Sequence, residues 1–335
     1  MSTMSDVAAR AGVGIGTVSR VLSGSQQVSQ KTRARVLAAV EELQYSPVRS
    51  AARLAAEQGG HVGVVIPDFG SSSSMARLVG LVAALRAHGF YVVIYPVNTP
   101  DEARQSLVEL PRSKTLDGLI VMSLPLRGEE GERLAGSRFP VVLLDTWHPG
   151  LTRVTIDDVA GGRLATQHLI DLAHERIAFV GEPVRNPMSF MSSGLREEGF
   201  RDALAKAGLE RLPKYVRHGP HLRSAGRQMG TELLALSTPP TAVVAASDTQ
   251  AVGVMEAARA SGRSIPQDLS IIGYDDIDLA QLVALTTIRQ PLEVSGVRAA
   301  EILLTAIESG QKPLPFNDVL SLELVVRQST AAPRG

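Results

Sequence analysis

The chain contains no cysteine, which excludes disulfides, iron–sulfur clusters, thiolate zinc sites and a cysteine nucleophile. It carries no net charge: 34 Lys and Arg stand against 34 Asp and Glu. Neither a uniformly basic nucleic-acid coat nor an acidic disordered chain fits that balance. No apolar run approaches the ~18 residues of a membrane span. Met1 to Gly12 includes Asp6 and Arg10 and lacks the apolar core of a signal peptide, so a cytoplasmic location is expected. The motifs G-x-x-x-x-G-K-[ST], G-x-S-x-G and H-E-x-x-H are all missing. The seven histidines are scattered and read as mostly surface groups. Asp157-Asp158 and Asp275-Asp276 send successive side chains in different directions, which suits a pocket lining better than a metal clamp. No catalytic residue, metal or cofactor is expected, and the chain does not read as an enzyme.

What is present fills about two domains: 335 residues at 44% apolar content suffice for two real cores. Residues 1 to 60 hold seven basic and four acidic side chains, a net +3 that leaves −3 for the remainder. A small basic module therefore precedes a larger, mildly acidic one. Thr3-Met4-Ser5-Asp6 has the spacing of a capping box, and a short helix over Asp6 to Ala11 follows. Gly12 breaks it. Val18, Val21 and Leu22 share one face of a second short helix over Thr17 to Leu22. A third helix starts at Ser29-Gln30-Lys31-Thr32, with Val36, Val40 and Leu43 on one side. Two short helices around a glycine turn and a longer closing helix outline a helix-turn-helix unit. Gly12-x-Gly14-x-Gly16 imitates a dinucleotide fingerprint, but no strand precedes it and Thr17 replaces the third glycine.

The order Asp6-Val7-Ala8, Ala11-Gly12-Val13, Thr17-Val18-Ser19-Arg20-Val21-Leu22, Val28-Ser29, Thr32-Arg33 and Glu42-Leu43-Gln44-Tyr45-Ser46-Pro47 resembles the headpiece of the LacI/GalR (lactose-repressor) family of transcription regulators. That resemblance implies DNA contacts from Thr3, Ile15, Gly16, Thr17, Ser19, Arg20 and Ser29. Gly14 stands where the family usually has serine, which removes a hydroxyl able to hold a phosphate. Gly16 occupies a usual base-reading position without a side chain to read with. Ile15 can touch only a thymine methyl, so Arg20, able to bond bidentately to guanine, is the expected main base reader. Pro47 to Ala55 resembles the family's hinge helix, too short to be helical alone in water. There the resemblance makes Leu54 the minor-groove wedge, Ala51 the small residue of close approach, and Arg49 and Arg53 phosphate neighbours.

From His61 onward, short apolar runs alternate with helical stretches. Val62–Ile66, Tyr91–Tyr95, Gly118–Met122 and Val141–Leu144 read as strands of a parallel sheet covered on both faces, with a helix over Met75 to His88. Arg176–Val180, Ala242–Ala246 and Leu269–Gly273 begin a second set, and Leu322 to Arg327 reads as the final strand. The expected fold class is α/β: a small all-α headpiece joined to a two-lobed core with parallel sheets. Thr155-Ile156-Asp157-Asp158, Arg196-Glu197-Glu198-Gly199-Phe200, Ser247-Asp248, Gly273-Tyr274-Asp275-Asp276 and Leu285 to Pro291 extend the resemblance through the effector core, itself similar to periplasmic sugar-binding proteins. Asp158 and Ser247 each replace a usual asparagine.

The expected domains are a headpiece at 1–46, a hinge at 47–60 and an effector-binding core at 61–335. Lobe one takes about 61–157 and 291–318, and lobe two about 158–290 and 319–330. A cleft at the carboxyl ends of the strands would be lined by Asp68, Phe69, Trp147, Asp157, Phe190, Arg196, Asp248 and Asp275. Carboxylates and arginine exchange hydrogen bonds with vicinal hydroxyls, and Trp147 and Phe190 can stack on the apolar face of a pyranose. Asp145 and Asp276 read instead as helix caps. The expected function is sequence-specific transcription regulation, as a repressor of carbohydrate-metabolism genes, with palindromic operator DNA and a small-molecule effector, a carbohydrate bound between the lobes, as partners. The alternatives are a solute-binding protein serving transport, and a regulator answering to a nucleobase or a phosphoprotein co-repressor. Ser329 to Gly335 offers no leucine repeat, so a two-fold homodimer is expected rather than a tetramer.

Overall fold

The computed structural model describes residues 3–22, 25, 27–43, 60–67, 69–183, 188 and 191–334. The chain divides into two compact units, Met1–Gly60 and His61–Gly335.

Among the described residues of the first unit, three helices form: α1 (Met4–Ala11), α2 (Ile15–Leu22) and α3 (Gln30–Glu42). The capping box forms at the start of α1, where the Asp6 amide donates to Thr3 Oγ1 at 3.3 Å and the Thr3 amide donates to Asp6 at 2.7 Å. Gly12 ends α1 with φ +61, a left-handed turn that glycine adopts without steric cost. Val7, Val18, Val21 and Val36 fill the small core. Both α1 and α2 begin two residues earlier than expected, because the residues ahead of each apolar face already accept helical hydrogen bonds, as the Gly14 carbonyl does from Thr17 and Val18.

Among its described residues the second unit holds two six-stranded sheets. The first half contributes β1 (His61–Pro67), α4 (Ser72–Ala87), β2 (Tyr91–Val97), α5 (Pro100–Glu109), β3 (Gly118–Met122), α6 (Gly128–Ala135), β4 (Val141–Leu144) and β5 (Thr152–Ile156). Then come α7 (Asp158–Asp171), β6 (Ile177–Gly181), α8 (Ser192–Lys206), β7 (Val216–His218), α9 (Arg223–Leu234), β8 (Ala242–Ala245), α10 (Asp248–Ala260), β9 (Ser270–Asp275), α11 (Asp278–Leu282) and β10 (Thr286–Arg289). The chain closes with α12 (Leu292–Ser309), β11 (Asn317–Leu320) and β12 (Glu323–Val325).

The sheet orders are β11-β5-β4-β3-β1-β2 and β12-β10-β9-β8-β6-β7. Each therefore repeats the doubly wound 2-1-3-4-5 pattern, whose switch point opens a crevice at the carboxyl ends of the strands. The expected pair of α/β lobes is borne out. One local difference is β12, which runs antiparallel to β10. The short polar strands β7, β10 and β11 escaped the sequence reading because Arg217, His218, Arg289 and Asn317 break any apolar run.

Alternation explains the layers. In β1, Val62, Val64 and Ile66 pack with Leu78, Leu81 and Leu303 of α4 and α12, while Val65 packs on the other face with Leu107 and Leu134. The axes of α4 and α12 approach closely because a Cβ on Gly296 would collide with the Arg77 carbonyl oxygen, and one on Gly80 with that of Glu293. Among the described residues no helix is long and apolar enough to cross a membrane.

Candidate functional site

On the headpiece, α2 turns its apolar side inward and presents Ile15, Gly16 and Arg20 outward, with Ile15 52% exposed. Thr17 and Ser19 are half-buried beside them. A Cβ at Gly16 would meet nothing nearer than the Arg20 guanidinium at 3.9 Å, so the surface beside Arg20 is open. Thr3 and Ser29 are exposed, but their hydroxyls serve helix ends: Thr3 Oγ1 donates to Asp6 at 2.7 Å, and Ser29 Oγ donates to Thr32 Oγ1 at 2.9 Å. Arg35 caps the end of α1, donating to the Ala11 carbonyl at 2.6 Å, and Arg33 donates to the Val21 carbonyl near the end of α2 at 3.5 Å. Arg49, Ala51 and Leu54 lie outside the described residues.

In the core unit, a cavity of about 470 Å³ opens between the lobes, within the range of small-molecule sites. Strand ends and helix starts build it. Ser123 follows β3, Asp145 follows β4, Asp275 ends β9, and Gln290 follows β10, while Arg77 comes from α4 and Arg196 from α8. Arg77 and Asp145 form an ion pair at 3.2 Å, and Ser123 donates to Asp145 at 2.9 Å. In the other lobe, Arg196 Nε donates to Asp158 at 2.7 Å, and its Nη1 donates to the Ala246 carbonyl at 2.6 Å and lies 3.5 Å from Asp275. Burial pushes the Asp158 carboxyl up to about 6 against the opposing pull of Arg196. It raises Asp275 as well. Burial also works against the charge of Arg196, yet Asp158, Tyr274 and Asp275 outweigh it and hold that group above the ordinary arginine value.

The cavity gathers Trp147, Arg196 and Asp275 from the expected set. Trp147 is 58% exposed, with the Arg153 guanidinium carbon 5.8 Å from its ring centre. Three expectations are corrected. Asp157 is exposed and accepts from the Ala160 amide at 2.8 Å, because the last extended residue before α7 turns back to cap it; its neighbour Asp158 faces Arg196 instead. Asp248 is fully buried behind the cavity lining, accepting from the Thr287 hydroxyl at 2.6 Å and the Ile277 amide at 3.0 Å. Phe69 is 42% exposed and lies outside the lining. Asp68 and Phe190 fall outside the described residues.

Sequence reasoning missed Arg77, Ser123, Asp145, Asp158 and Gln290 as lining groups. Asp145 does not cap a helix, and Asp276 is held by Arg289 at 2.7 Å and Arg327 at 2.6 Å. A signal did exist: Ser123 and Asp145 are the first polar residues after fully apolar strands, and both have left-handed backbones. Two of the seven histidines depart from the expected surface placement. His148 and His174 are buried, and His174 spends both ring nitrogens on Thr241 and the Ala331 carbonyl.

Residues 3–48 match the profile described as "Bacterial regulatory proteins, lacI family", and residues 166–330 match "Periplasmic binding protein-like domain". The HTH-type transcriptional regulator CelR of Thermobifida fusca is 33% identical over 98% of this chain and 98% of its own. The chain belongs to the lacI family of bacterial regulatory proteins. Like other members of the lacI family, it is a DNA-binding transcription regulator. Solved relatives include a CelR–cellobiose complex, with a TM-score of 0.71 and 32% identity over 98% of this chain and 100% of that one. The Lac repressor dimer bound to operator and the anti-inducer ONPF gives 0.80 and 29%, covering 99% of both.

Proposed function

We propose that this chain is an effector-controlled repressor that binds a palindromic operator as a homodimer and takes a carbohydrate between its lobes. The carrying observation is the cavity itself: Asp145, Asp158 and Asp275 are each held against an arginine, with Ser123 and Gln290 beside them. Such fixed donors and acceptors suit a polyol whose hydroxyls do both, and Trp147 supplies a surface for a sugar ring. The cellobiose complex of CelR and the operator-bound Lac repressor dimer support the same reading. In it, residues 1–46 carry Arg20, Ile15 and Thr17 to the bases, 47–60 form the hinge with Leu54 as wedge, and 61–335 receive the effector, all in the cytoplasm where the operator lies.

Thermal melting of the full chain against ribose, cellobiose and cytidine tests this. A ligand at one hundred times its Kd stabilises by about 2.7 kcal/mol. A saccharide that raises the melting temperature supports the proposal. A nucleoside that does so while no saccharide does overturns the carbohydrate assignment.

A further inference from the structure

The polar groups of the cavity floor form one continuous chain from lobe to lobe. Asp145 pairs with Arg77 at 3.2 Å, both on the lobe of the first sheet. Arg77 Nη2 donates to Gln290 Oε1 at 2.8 Å, and Gln290 Nε2 donates to Asp275 Oδ1 at 2.5 Å. Asp275 continues to Arg196 at 3.5 Å and thence to Asp158 at 2.7 Å, both on the lobe of the second sheet. Gln290 stands where the chain passes from β10 of one lobe to α12 of the other. It is 4% exposed, and Arg77 and Asp275 are as deeply buried.

The amide suits this place for a chemical reason. It carries an acceptor and a donor on one rigid plane, so it accepts from a guanidinium on one side and donates to a carboxylate on the other. A carboxylate there would satisfy Arg77 and repel Asp275; an apolar side chain would leave both partners buried and short of a hydrogen bond, which is costly at low dielectric. The lobe-one end is also rigid, since Arg77 lies on the helix pressed against α12 at Gly296.

We propose that Gln290 is the positioning residue that couples the lobes: it joins Asp275 to the Arg77–Asp145 pair, so that a ligand group drawing on either carboxylate alters the link that fixes the lobe angle. This rests on reading the cavity as the effector site, but its test needs no ligand. The charged and titratable groups around the link are Arg77, Asp145, Asp158, Arg196, Asp275 and His221.

Because the natural chain has no cysteine, Lys114→Cys and Lys206→Cys, exposed on opposite lobes, accept spin labels without further change. Labelled chains are diluted into unlabelled ones, and the intrachain distance distribution is recorded without ligand. Gln290→Met is expected to broaden the distribution and shift its mean. Gln290→Glu is expected to do the same at alkaline pH and to return to the parent distribution as the pH falls, because a protonated carboxyl again donates to Asp275 while accepting from Arg77. That return distinguishes a coupling role from general loosening, and it is readable even if Gln290→Met does not fold. Unchanged distributions in both variants, or a Gln290→Glu distribution indifferent to pH, would overturn the proposal. Failure of every saccharide to shift the melting temperature would remove the carbohydrate assignment and leave the distance result standing.

Discussion

The guanidinium carbon of Arg196 lies 3.7 Å from the centre of the Tyr274 ring. The ring supports one face of a cation whose edge meets Asp158, Asp275 and the Ala246 carbonyl. A stacked guanidinium is weakly hydrated and satisfies several acceptors in one plane, which lysine does not do.

Arg196→Met should therefore destabilise the core by about 3–5 kcal/mol, since it strands two buried carboxylates. Urea denaturation of the full chain at neutral pH checks this through the midpoint of the core transition. Arg196→Lys should recover only part of the loss. A midpoint unchanged in Arg196→Met would show that the triad contributes nothing to stability.

These two residues also mark how far the sequence is legible. Arg196 and Asp275 stand in quoted motifs, and apolar runs locate β1, β3, β4, β6, β8 and β9 to within a residue or two. Tertiary placement was not legible. Arg77 is the one charged residue between Met75 and Leu85 of α4, and only the packing of α4 on α12 aims it at Gln290. Asp157 and Asp158 are adjacent, and which one caps and which one faces inward depends on where α7 begins. Asp248 follows a strand as a pocket residue would, but Thr287 and the Ile277 amide claim it first.

Helix contact makes a second prediction. Gly296→Ala should cost about 1–3 kcal/mol by overpacking, because the new methyl meets the Arg77 carbonyl. Gly128→Ala, at the exposed start of α6 with nothing within 4 Å of the added carbon, should leave thermal stability nearly unchanged. Paired melting curves compare them, and equal losses would contradict the close approach of α4 and α12.

Base reading is separable from phosphate holding. Arg20→Ala should weaken binding to a DNA duplex selected by the parent protein by about 1–3 kcal/mol and affect random DNA far less. Gly14→Ser should strengthen both alike, by adding a phosphate contact. Titrations at one salt concentration decide it, and an Arg20→Ala loss equal on both duplexes would reassign Arg20 to the backbone.

Acid should loosen the C-terminal strand's continuation. Burial lowers the pKa of both His168 and His174, which bond Thr330 and the Ala331 carbonyl. A lowered folded pKa means that the unfolded chain binds more protons below about 6.5, so this contribution is full above that pH and is lost as pH falls. Asp158 has the opposite sign, its contribution present at low pH and lost as pH rises through about 6. The difference between the parent and His174→Gln isolates the histidine. Stability of the parent should fall more steeply than that of the variant between pH 6.5 and 5, and amide exchange at 329–331 should rise with it. Parallel pH profiles would contradict this.

Occupancy of the interlobe cavity is expected to govern the headpiece's hold on DNA. The most direct measurement is the affinity of the full chain for the selected duplex, read by fluorescence anisotropy with and without a saturating concentration of the saccharide that raises its melting temperature. Coupling between two sites changes affinity by about 5- to 150-fold, and a change of that size, abolished by Arg196→Lys, is the expected result. An unchanged affinity at saturation would mean that the cavity and the headpiece are uncoupled.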